Sequence, residues 1–159
     1  MKSWKLFALA PLAAAAMFVS GPSSATQEAQ AGNLQYGRQY YAGWSNTYYQ
    51  TRGYYYRNYY YKPYASYPTY KYHYCIYYPS RPRYVYYYNP VRRRYWGRYD
   101  IEAKGYSLLA EKDQAEKLSD ISEDAFPTPG DMPAIPESTD EGAQIDVPPL
   151  NDLPKDDGE

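Results

Sequence analysis

Tyrosine and a few aliphatic residues alternate with other side chains along three stretches in the middle of the sequence. Tyrosine or isoleucine occupies every second position from residue 70 to 78, and tyrosine does so again from 84 to 88. A period of two residues is typical of half-buried β-strands, so these stretches predict strands at 70–78 and 83–89. A third alternation over 94–103 places on one face Tyr95, Gly97, Tyr99 and Ile101.

Turn-forming residues separate these predicted strands. Prolines and small polar residues occupy 79–82, Asn89 precedes Pro90, and Gly105 favours a hairpin onto residues 106–109. The sequence therefore predicts a small all-β module near 70–110, a three- or four-stranded antiparallel meander within a mostly disordered chain. Such a sheet is near the minimum size for independent stability in water.

The segments on either side of this module lack a clear period. Residues 32–69 are rich in tyrosine and glycine, so we expect a flexible low-complexity segment there. Residues 111–159 are acidic and hold seven prolines between Pro127 and Pro154, which predicts a disordered tail of extended chain. Brief helical turns are predicted in this tail at 111–117 and near Ser119.

The start of the chain has the three parts of an export signal. Lys2 and Lys5 precede an uncharged apolar run of 14 residues, which is short for a membrane-spanning helix of about 20 residues. Small residues then fit cleavage after Ala25 or after Ala31, and the first lies closer to the apolar run. We predict a signal peptide, export to the periplasm, cell wall or outside, and no transmembrane anchor after processing. An uncleaved anchor or an ordinary buried helix is the alternative.

Charge divides the remaining chain into two parts. Residues 36–106 hold twelve Lys or Arg against two acidic residues, a net charge of +10. Residues 107–159 hold three lysines against fifteen acidic residues, a net charge of −12. We expect the opposite charges to associate, within one molecule or between molecules. The tail is thus predicted to compete with outside polyanions for the basic part, and added salt should weaken that competition.

Tyrosine replaces the aliphatic residues of an ordinary core. All 25 tyrosines fall between Tyr36 and Tyr106, where leucine, isoleucine and valine are few. A tyrosine ring buries a large apolar area, but its hydroxyl needs a partner or water. We therefore expect a thin sheet with both faces partly wet.

No catalytic, phosphate-binding or cofactor signature is present, so we predict a protein without enzymatic activity, cofactor or bound metal. The single histidine, His73, and the single cysteine, Cys75, share one strand face. Two ligands at this spacing fall short of the three or four of a zinc site. His73 is expected to be a surface histidine and Cys75 a half-buried strand residue. An intermolecular disulfide through Cys75 is the alternative.

Interleaved tyrosine and arginine side chains support a first hypothesis, an exported structural or adhesive protein of the cell envelope. An arginine over an exposed tyrosine ring gains roughly 0.5–1 kcal/mol, and many such contacts make a chain self-associate. Exposed strand edges offer a second route to assembly. A simpler interpretation of residues 70–106 is that their tyrosines only pack within a small sheet.

A second hypothesis is a surface module that binds anionic polysaccharide, lipid headgroups or another polyanion, without specific nucleic-acid binding. Aromatic rows stack on sugar rings, and a basic surface attracts polyanions. The arginine triplet at 92–94 is also compatible with a solvated turn. The candidate interaction residues are the basic and aromatic side chains of two predicted strands and their turn, namely Tyr86, Tyr87, Tyr88, Arg92, Arg93, Arg94, Tyr95 and Trp96.

Residues 72–100 read YHYCIYYPSRPRYVYYYNPVRRRYWGRYD. This stretch resembles a group of short exported tyrosine-rich proteins of planctomycete-type bacteria. The pieces GYSLLAEKD and FPTPGDMPAIPES extend it, so that it spans about residues 70–138. The similarity lies in the residues and their order, and it includes no motif tied to chemistry. It therefore implies no activity, substrate or fold. It indicates that residues 72–100 are the organised part.

Overall fold

The computed structural model describes residues 37–45 and 53–155, and the predicted cleavage sites Ala25 and Ala31 lie outside the described residues. A single antiparallel sheet forms the body, with six strands whose spatial order follows the sequence. The predicted all-β class is thereby confirmed. The strands are β1 Gln39–Tyr41, β2 Tyr55–Tyr61, β3 Lys71–Tyr77, β4 Tyr84–Asn89, β5 Arg94–Asp100 and β6 Gly105–Leu108.

The sheet has six strands, two more than the largest number predicted. Strands β1 and β2 come from residues 32–69, which were expected to be flexible low-complexity chain. In β2, tyrosines occupy both faces, so that neighbouring positions look alike and no alternation is visible in the sequence. All seven residues of β2 nevertheless pair with β3, from Tyr55 opposite Tyr77 to Tyr61 opposite Lys71.

Both faces of the sheet are partly covered, which gives the protein two apolar clusters. Face A, named here by the side on which Cys75 lies, also buries Tyr59, Tyr87, Trp96 and Tyr106. Face B is the opposite side and buries Ile76, Tyr86 and Tyr95. Tyrosine thus supplies most of the core on both sides, as expected for a chain with few aliphatic residues in its strands.

The acidic tail supplies the covering layer of both faces. Three short 3-10 turns occur in it, at Glu111–Asp113, Leu118–Asp120 and Glu123–Ala125. The stretch 109–126 packs on face B, and 132–153 packs on face A. The described part of the tail is therefore part of the fold, which differs from the predicted separate disordered segment. Its buried anchors include Ile121, Phe126, Ile135 and Ile145.

The tail changes face around the outer edge of β6. There Tyr106 and Gly130 exchange two backbone hydrogen bonds, of 2.8 and 2.9 Å. The Ser107 hydroxyl adds a third hydrogen bond by donating to the Pro127 carbonyl at 2.7 Å. These bonds cover part of an edge that would otherwise invite pairing with another chain.

A β-bulge in β5 changes the face on which its residues lie. Tyr87 of β4 pairs with Gly97, whereas Tyr88 pairs with Tyr95, so Trp96 is an extra residue. Tyr95 consequently packs on face B, while Trp96 and Tyr99 pack on face A. The predicted common face for Tyr95, Gly97 and Tyr99 is therefore wrong.

Opposite charges meet within one molecule. Arg57 and Arg98 are buried, and each pairs with a tail carboxylate, whereas most of the other pairs are exposed. Exposed pairs contribute only about 0–1 kcal/mol each, so apolar packing is the larger part of the tail's attachment. The pairs that join the strands or their flanks to the tail are Arg38–Asp140, Arg57–Asp152, Lys71–Glu137, Arg93–Glu116, Arg94–Glu111 and Arg98–Glu123.

Candidate functional site

The turn between β4 and β5 sends its arginines to the two sides of the sheet. The Asn89 Oδ1 atom accepts hydrogen bonds from two backbone N–H groups of the turn, at 2.9 and 3.0 Å. Arg93 follows in the left-handed region with φ of 52°, and its guanidinium pairs with Glu116 at 2.5 Å. Arg92 and Arg94 instead line a cleft on face A. The three arginines predicted as one interaction centre therefore do not lie in one place, because Arg93 points away from the cleft that Arg92 and Arg94 line.

This cleft has a volume of about 430 Å³ and lies between the sheet and the tail segment 133–138. Its basic groups are Arg92 and Arg94, and Trp96 and His73 belong to its sheet-side wall. We call it the cationic cleft. The tail-side wall is largely apolar and includes Ile135. Clefts of this size and mixed lining are typical of small-ligand sites.

Two buried ring nitrogens in the cationic cleft lack a hydrogen-bond partner among the described residues. They are Nε1 of Trp96 and Nδ1 of His73, on side chains that are 9% and 5% exposed. The two rings are neighbours, with centroids 5.5 Å apart. Nε2 of His73 lies 3.3 Å from the Tyr61 hydroxyl. Buried polar atoms are seldom left unpaired in proteins. Each of these two nitrogens exposes less than 1 Å², so both are enclosed behind the surface of the cleft.

His73 is buried, and its predicted surface position is wrong. The register explains this, because His73 lies opposite Tyr59 on face A, where Tyr61 and Trp96 cover it. Burial lowers the pKa of His73 to about 4. The ring is therefore neutral at pH 7, and the positive charge of the cleft comes from its arginines.

The arginines of the cleft are only weakly neutralised. The Arg94 guanidinium lies 3.7 Å from Glu111, at the outer limit of an ion pair. No carboxylate of the described chain pairs with Arg92. Glu137 also lines the cleft, but its carboxylate is held by Lys71. The cleft therefore keeps a net positive charge.

None of the four candidate tyrosines lines the cationic cleft, although the Tyr87 ring packs behind Trp96 with centroids 5.2 Å apart. Tyr86 and Tyr87 are fully buried, so neither offers a ring face to a ligand. Tyr95 is buried on face B and donates or accepts a hydrogen bond of 2.8 Å with Tyr78. Tyr88 is half-buried on face B. Arg92, Arg94 and Trp96 of the eight candidates come together in the cationic cleft, whereas Tyr88 and Tyr95 line a second cleft on face B, with ring centroids 5.0 Å apart.

A second surface of interest lies on face B and runs from β1 to β4, ending beside the tail residues 116–119. Five tyrosine rings form a continuous series there, each in contact with the next. Neighbouring centroids along the series are 4.9, 5.9, 5.7 and 6.4 Å apart. We call this series the tyrosine row, and its members are Tyr40, Tyr60, Tyr72, Tyr74 and Tyr88.

The tyrosine row leads into an aromatic cleft of about 850 Å³. Its walls are the rings of Tyr54, Tyr74 and Tyr88 on one side and tail residues 116–119 on the other. Sequence reasoning listed Tyr88 and Tyr95 of this cleft as candidates but predicted neither the row nor the cleft. Tyr72 and Tyr74 were visible in the alternation of β3, but their partners on β1 and β2 were hidden among unpatterned tyrosines.

Cys75 is a free and fully buried cysteine, where the sequence predicted a half-buried one. Burial raises the pKa of its thiol far above the ordinary value. An intermolecular disulfide through Cys75 stays a prediction. Within residues 37–45 and 53–155, no three or more His, Cys, Asp or Glu side chains are grouped to hold a metal ion. The same residues include no helix with the length and apolarity to cross a bilayer.

No protein-family model, curated protein or solved structure matches this chain. The chemistry of the cationic cleft and the tyrosine row is therefore the basis for a functional proposal.

Proposed function

We propose that this chain is an exported, non-enzymatic structural or adhesive protein of the cell envelope, and that its copies associate through the tyrosine row. The observation that carries the proposal is the continuous, half-exposed series of five tyrosine rings on face B. Contiguous aromatic surface of this kind is uncommon on monomeric proteins and is typical of contact surfaces. The leader sequence and the lack of a catalytic signature support the exported and non-enzymatic parts of the proposal.

The orientation of the rings favours contact with a second copy of the same surface. Tyr40 and Tyr60 stack at 20° with centroids 4.9 Å apart, so these two rings cover one another's faces, and Tyr74 and Tyr88 lie nearly parallel, at 14°. Ring edges and hydroxyls then make up more of the open surface. A phenol hydroxyl both donates and accepts hydrogen bonds, so a surface of tyrosines is complementary to itself. Self-complementarity is the requirement of a two-fold symmetric contact.

The same orientation gives less support to stacking on sugar rings. Stacking requires a free aromatic face, and in the tyrosine row several faces are occupied by a neighbouring ring. Strand edges are also a weaker route to assembly than the sequence indicated. The edge of β6 is bonded to the tail at Gly130, and β1 is only three residues long. Face-to-face contact is therefore the proposed mode.

Sedimentation velocity on the mature chain, residues 26–159 for cleavage after Ala25, tests this mode of association. We expect the sedimentation coefficient to rise with protein concentration at low salt. Tyr72 is 42% exposed at the centre of the row, and Tyr72→Arg would place two like charges against each other in a symmetric contact. The concentration at half-association should rise at least tenfold.

Tyr64 provides a matched control, because it is 44% exposed but packs only with Tyr67 among the ring pairs described. Tyr64→Arg makes the same change of charge and size and should leave association unchanged. Equal effects of the two variants would reject the tyrosine row as the contact. A mature chain that stays monomeric at high concentration and low salt would reject self-association itself.

The exported location has its own test. Fractionation of native cells followed by N-terminal sequencing should find the protein in the envelope or outside, beginning after Ala25 or Ala31. Recovery of the full-length chain from the cytoplasm would contradict export without bearing on the tyrosine row.

A further inference from the structure

We infer that the cationic cleft is a binding site for the carboxylate of an acidic sugar, and that this protein thereby holds an anionic polysaccharide. The site lies on face A and shares no residue with the tyrosine row on face B. It goes beyond the proposed association between copies, and neither depends on the other.

The polar groups of the cleft fit one carboxylate. Arg92 and Arg94 stand at its rim, and an arginine guanidinium matches the two oxygens of a carboxylate in a bidentate pair. The Trp96 Nε1–H is a buried donor without a partner among the described residues. When the Tyr61 hydroxyl donates to Nε2 of His73, the hydrogen of the neutral ring lies on Nδ1 and makes a second such donor.

Two enclosed donors beside the arginines distinguish this site from an ordinary basic surface. A solvated arginine loses little without a ligand, whereas a buried N–H without a partner is destabilising. Each nitrogen exposes less than 1 Å², so an acceptor of the ligand reaches Trp96 or His73 when the wall of the cleft opens to admit it. The Arg94–Glu111 contact of 3.7 Å is loose enough to yield to a better-placed carboxylate.

The other groups of the cleft favour a singly charged group on a sugar over a phosphate. Glu137 lies in the lining, and its negative charge disfavours a doubly charged phosphate more than a carboxylate. The volume of about 430 Å³ admits a ligand larger than a single carboxylate. Pro133, Ile135 and Pro136 form an apolar wall against which the carbon face of a sugar ring can lie.

Indole N–H signals in a ¹H–¹⁵N spectrum of the mature chain report directly on this site. The mature chain keeps two tryptophans, Trp44 and Trp96, because Trp4 lies in the leader. Trigalacturonate should shift the Trp96 indole signal in a saturable way. The Trp44 Nε1–H faces Asp152 at 3.4 Å and serves as the internal control, which should not move. The neutral galactose trisaccharide should leave both signals in place.

The arginine triplet supplies matched variants. Arg92→Gln with Arg94→Gln should weaken trigalacturonate binding at least tenfold, and Arg92→Gln alone, in an exposed turn, at least threefold. Arg93→Gln removes the same charge from the same turn, but its side chain pairs with Glu116 outside the cleft, so affinity should stay within twofold. Equal loss in all three variants would mean unspecific attraction and would overturn the site.

Two further results would overturn the inference. The first is a Trp96 signal that does not respond to trigalacturonate in a folded protein. The second is inorganic phosphate or a short oligonucleotide that shifts Trp96 at concentrations as low as those of trigalacturonate, which would make the cleft a phosphate site. Neither result would affect sedimentation through the tyrosine row, so the two proposals fail separately.

Discussion

The guanidinium carbon of Arg98 lies 3.9 Å from the centroid of the Phe126 ring, which joins the middle of β5 to the tail. The Tyr84 ring lies 3.8 Å from the same carbon, so that the cation is enclosed between two aromatic rings. Its Nη1 atom is 2.5 Å from the Glu123 carboxylate. A buried cation of this kind gains about 2 kcal/mol or more from its rings. The tail is therefore held on face B by specific contacts as well as by general apolar packing.

Truncation of Phe126 should show that the tail stabilises the sheet. Phe126→Ala is expected to lower the free energy of unfolding by about 3 kcal/mol, because it removes a buried ring and uncovers the Arg98 cation. Phe126→Leu keeps most of the volume and should cost about 1 kcal/mol. Urea unfolding followed by tryptophan fluorescence measures both. A loss below about 0.5 kcal/mol for the alanine variant would mean that the tail is dispensable to the fold.

A glycine in β5 leaves room for an aromatic ring from β6. A Cβ atom at Gly97 would lie 2.5 and 2.6 Å from ring atoms of Tyr106, closer than packed atoms can approach. Gly97→Ala should therefore cost about 1–3 kcal/mol in urea unfolding. Gly130→Ala is the control, because a Cβ there meets no atom within 4 Å. Equal stability of the two variants would show that the Tyr106 ring moves without cost.

The sequence predicted the strands whose two faces carry different residues. Strands β3 and β4 were expected at 70–78 and 83–89, and they run over Lys71–Tyr77 and Tyr84–Asn89. Strand β2 escaped prediction because tyrosine serves on both of its faces, which removes the two-residue period. The bulge at Trp96 was also not predicted, because an inserted residue shifts the two-residue period without changing the composition.

The tail and the cationic cleft depend on contacts between distant parts of the chain. Successive anchors among Ile121, Phe126, Ile135 and Ile145 are 5 to 10 residues apart in the sequence, without a regular period, so nothing in the tail alone indicates burial. Arg92, Arg94 and Trp96 were predicted because they are close in the sequence. His73 was not predicted with them, because it comes from β3 and reaches the cleft only through the sheet register.

The buried histidine should make stability depend on pH. Burial lowers the pKa of His73 to about 4, whereas Glu137 acts to raise it and Arg92 and Lys71 act to lower it. Between pH 6.5 and 4 the unfolded chain therefore binds a proton that the folded chain excludes. Stability should fall as pH falls through this window, by about 3 kcal/mol in all.

The variant His73→Gln isolates this contribution from that of the carboxylates. Its urea midpoint should vary less than that of the parent between pH 6.5 and 4, so the stability of the parent relative to the variant should fall toward low pH. Carboxylates titrate in both proteins and cancel in this comparison. Parallel pH curves would show that the pKa of His73 is the same in the folded and unfolded chains.

High salt should leave the tail on face A, although the tail is acidic and the strands are basic. Screening at 1 M salt shortens the Debye length to about 3 Å and weakens exposed pairs such as Arg38–Asp140. Ile135 and Ile145 are each 2% exposed, and their burial does not depend on salt. Their backbone N–H groups bond to carbonyls within the tail at 2.9 Å, so hydrogen exchange at these two amides reports on the packed state.

Exchange protection of the Ile135 and Ile145 amides should therefore persist from 0.05 to 1 M salt. Ile135→Asp places a charge in the apolar layer, and in this variant protection should be lost even at low salt, because an unpaired buried charge is far more costly than the ion pairs are favourable. Ile135→Val retains the apolar contact and should keep the parent's protection. Loss of protection in the parent on adding salt would show that electrostatic attraction alone holds the tail on the basic strands. The tail would then be a purely electrostatic competitor for those strands.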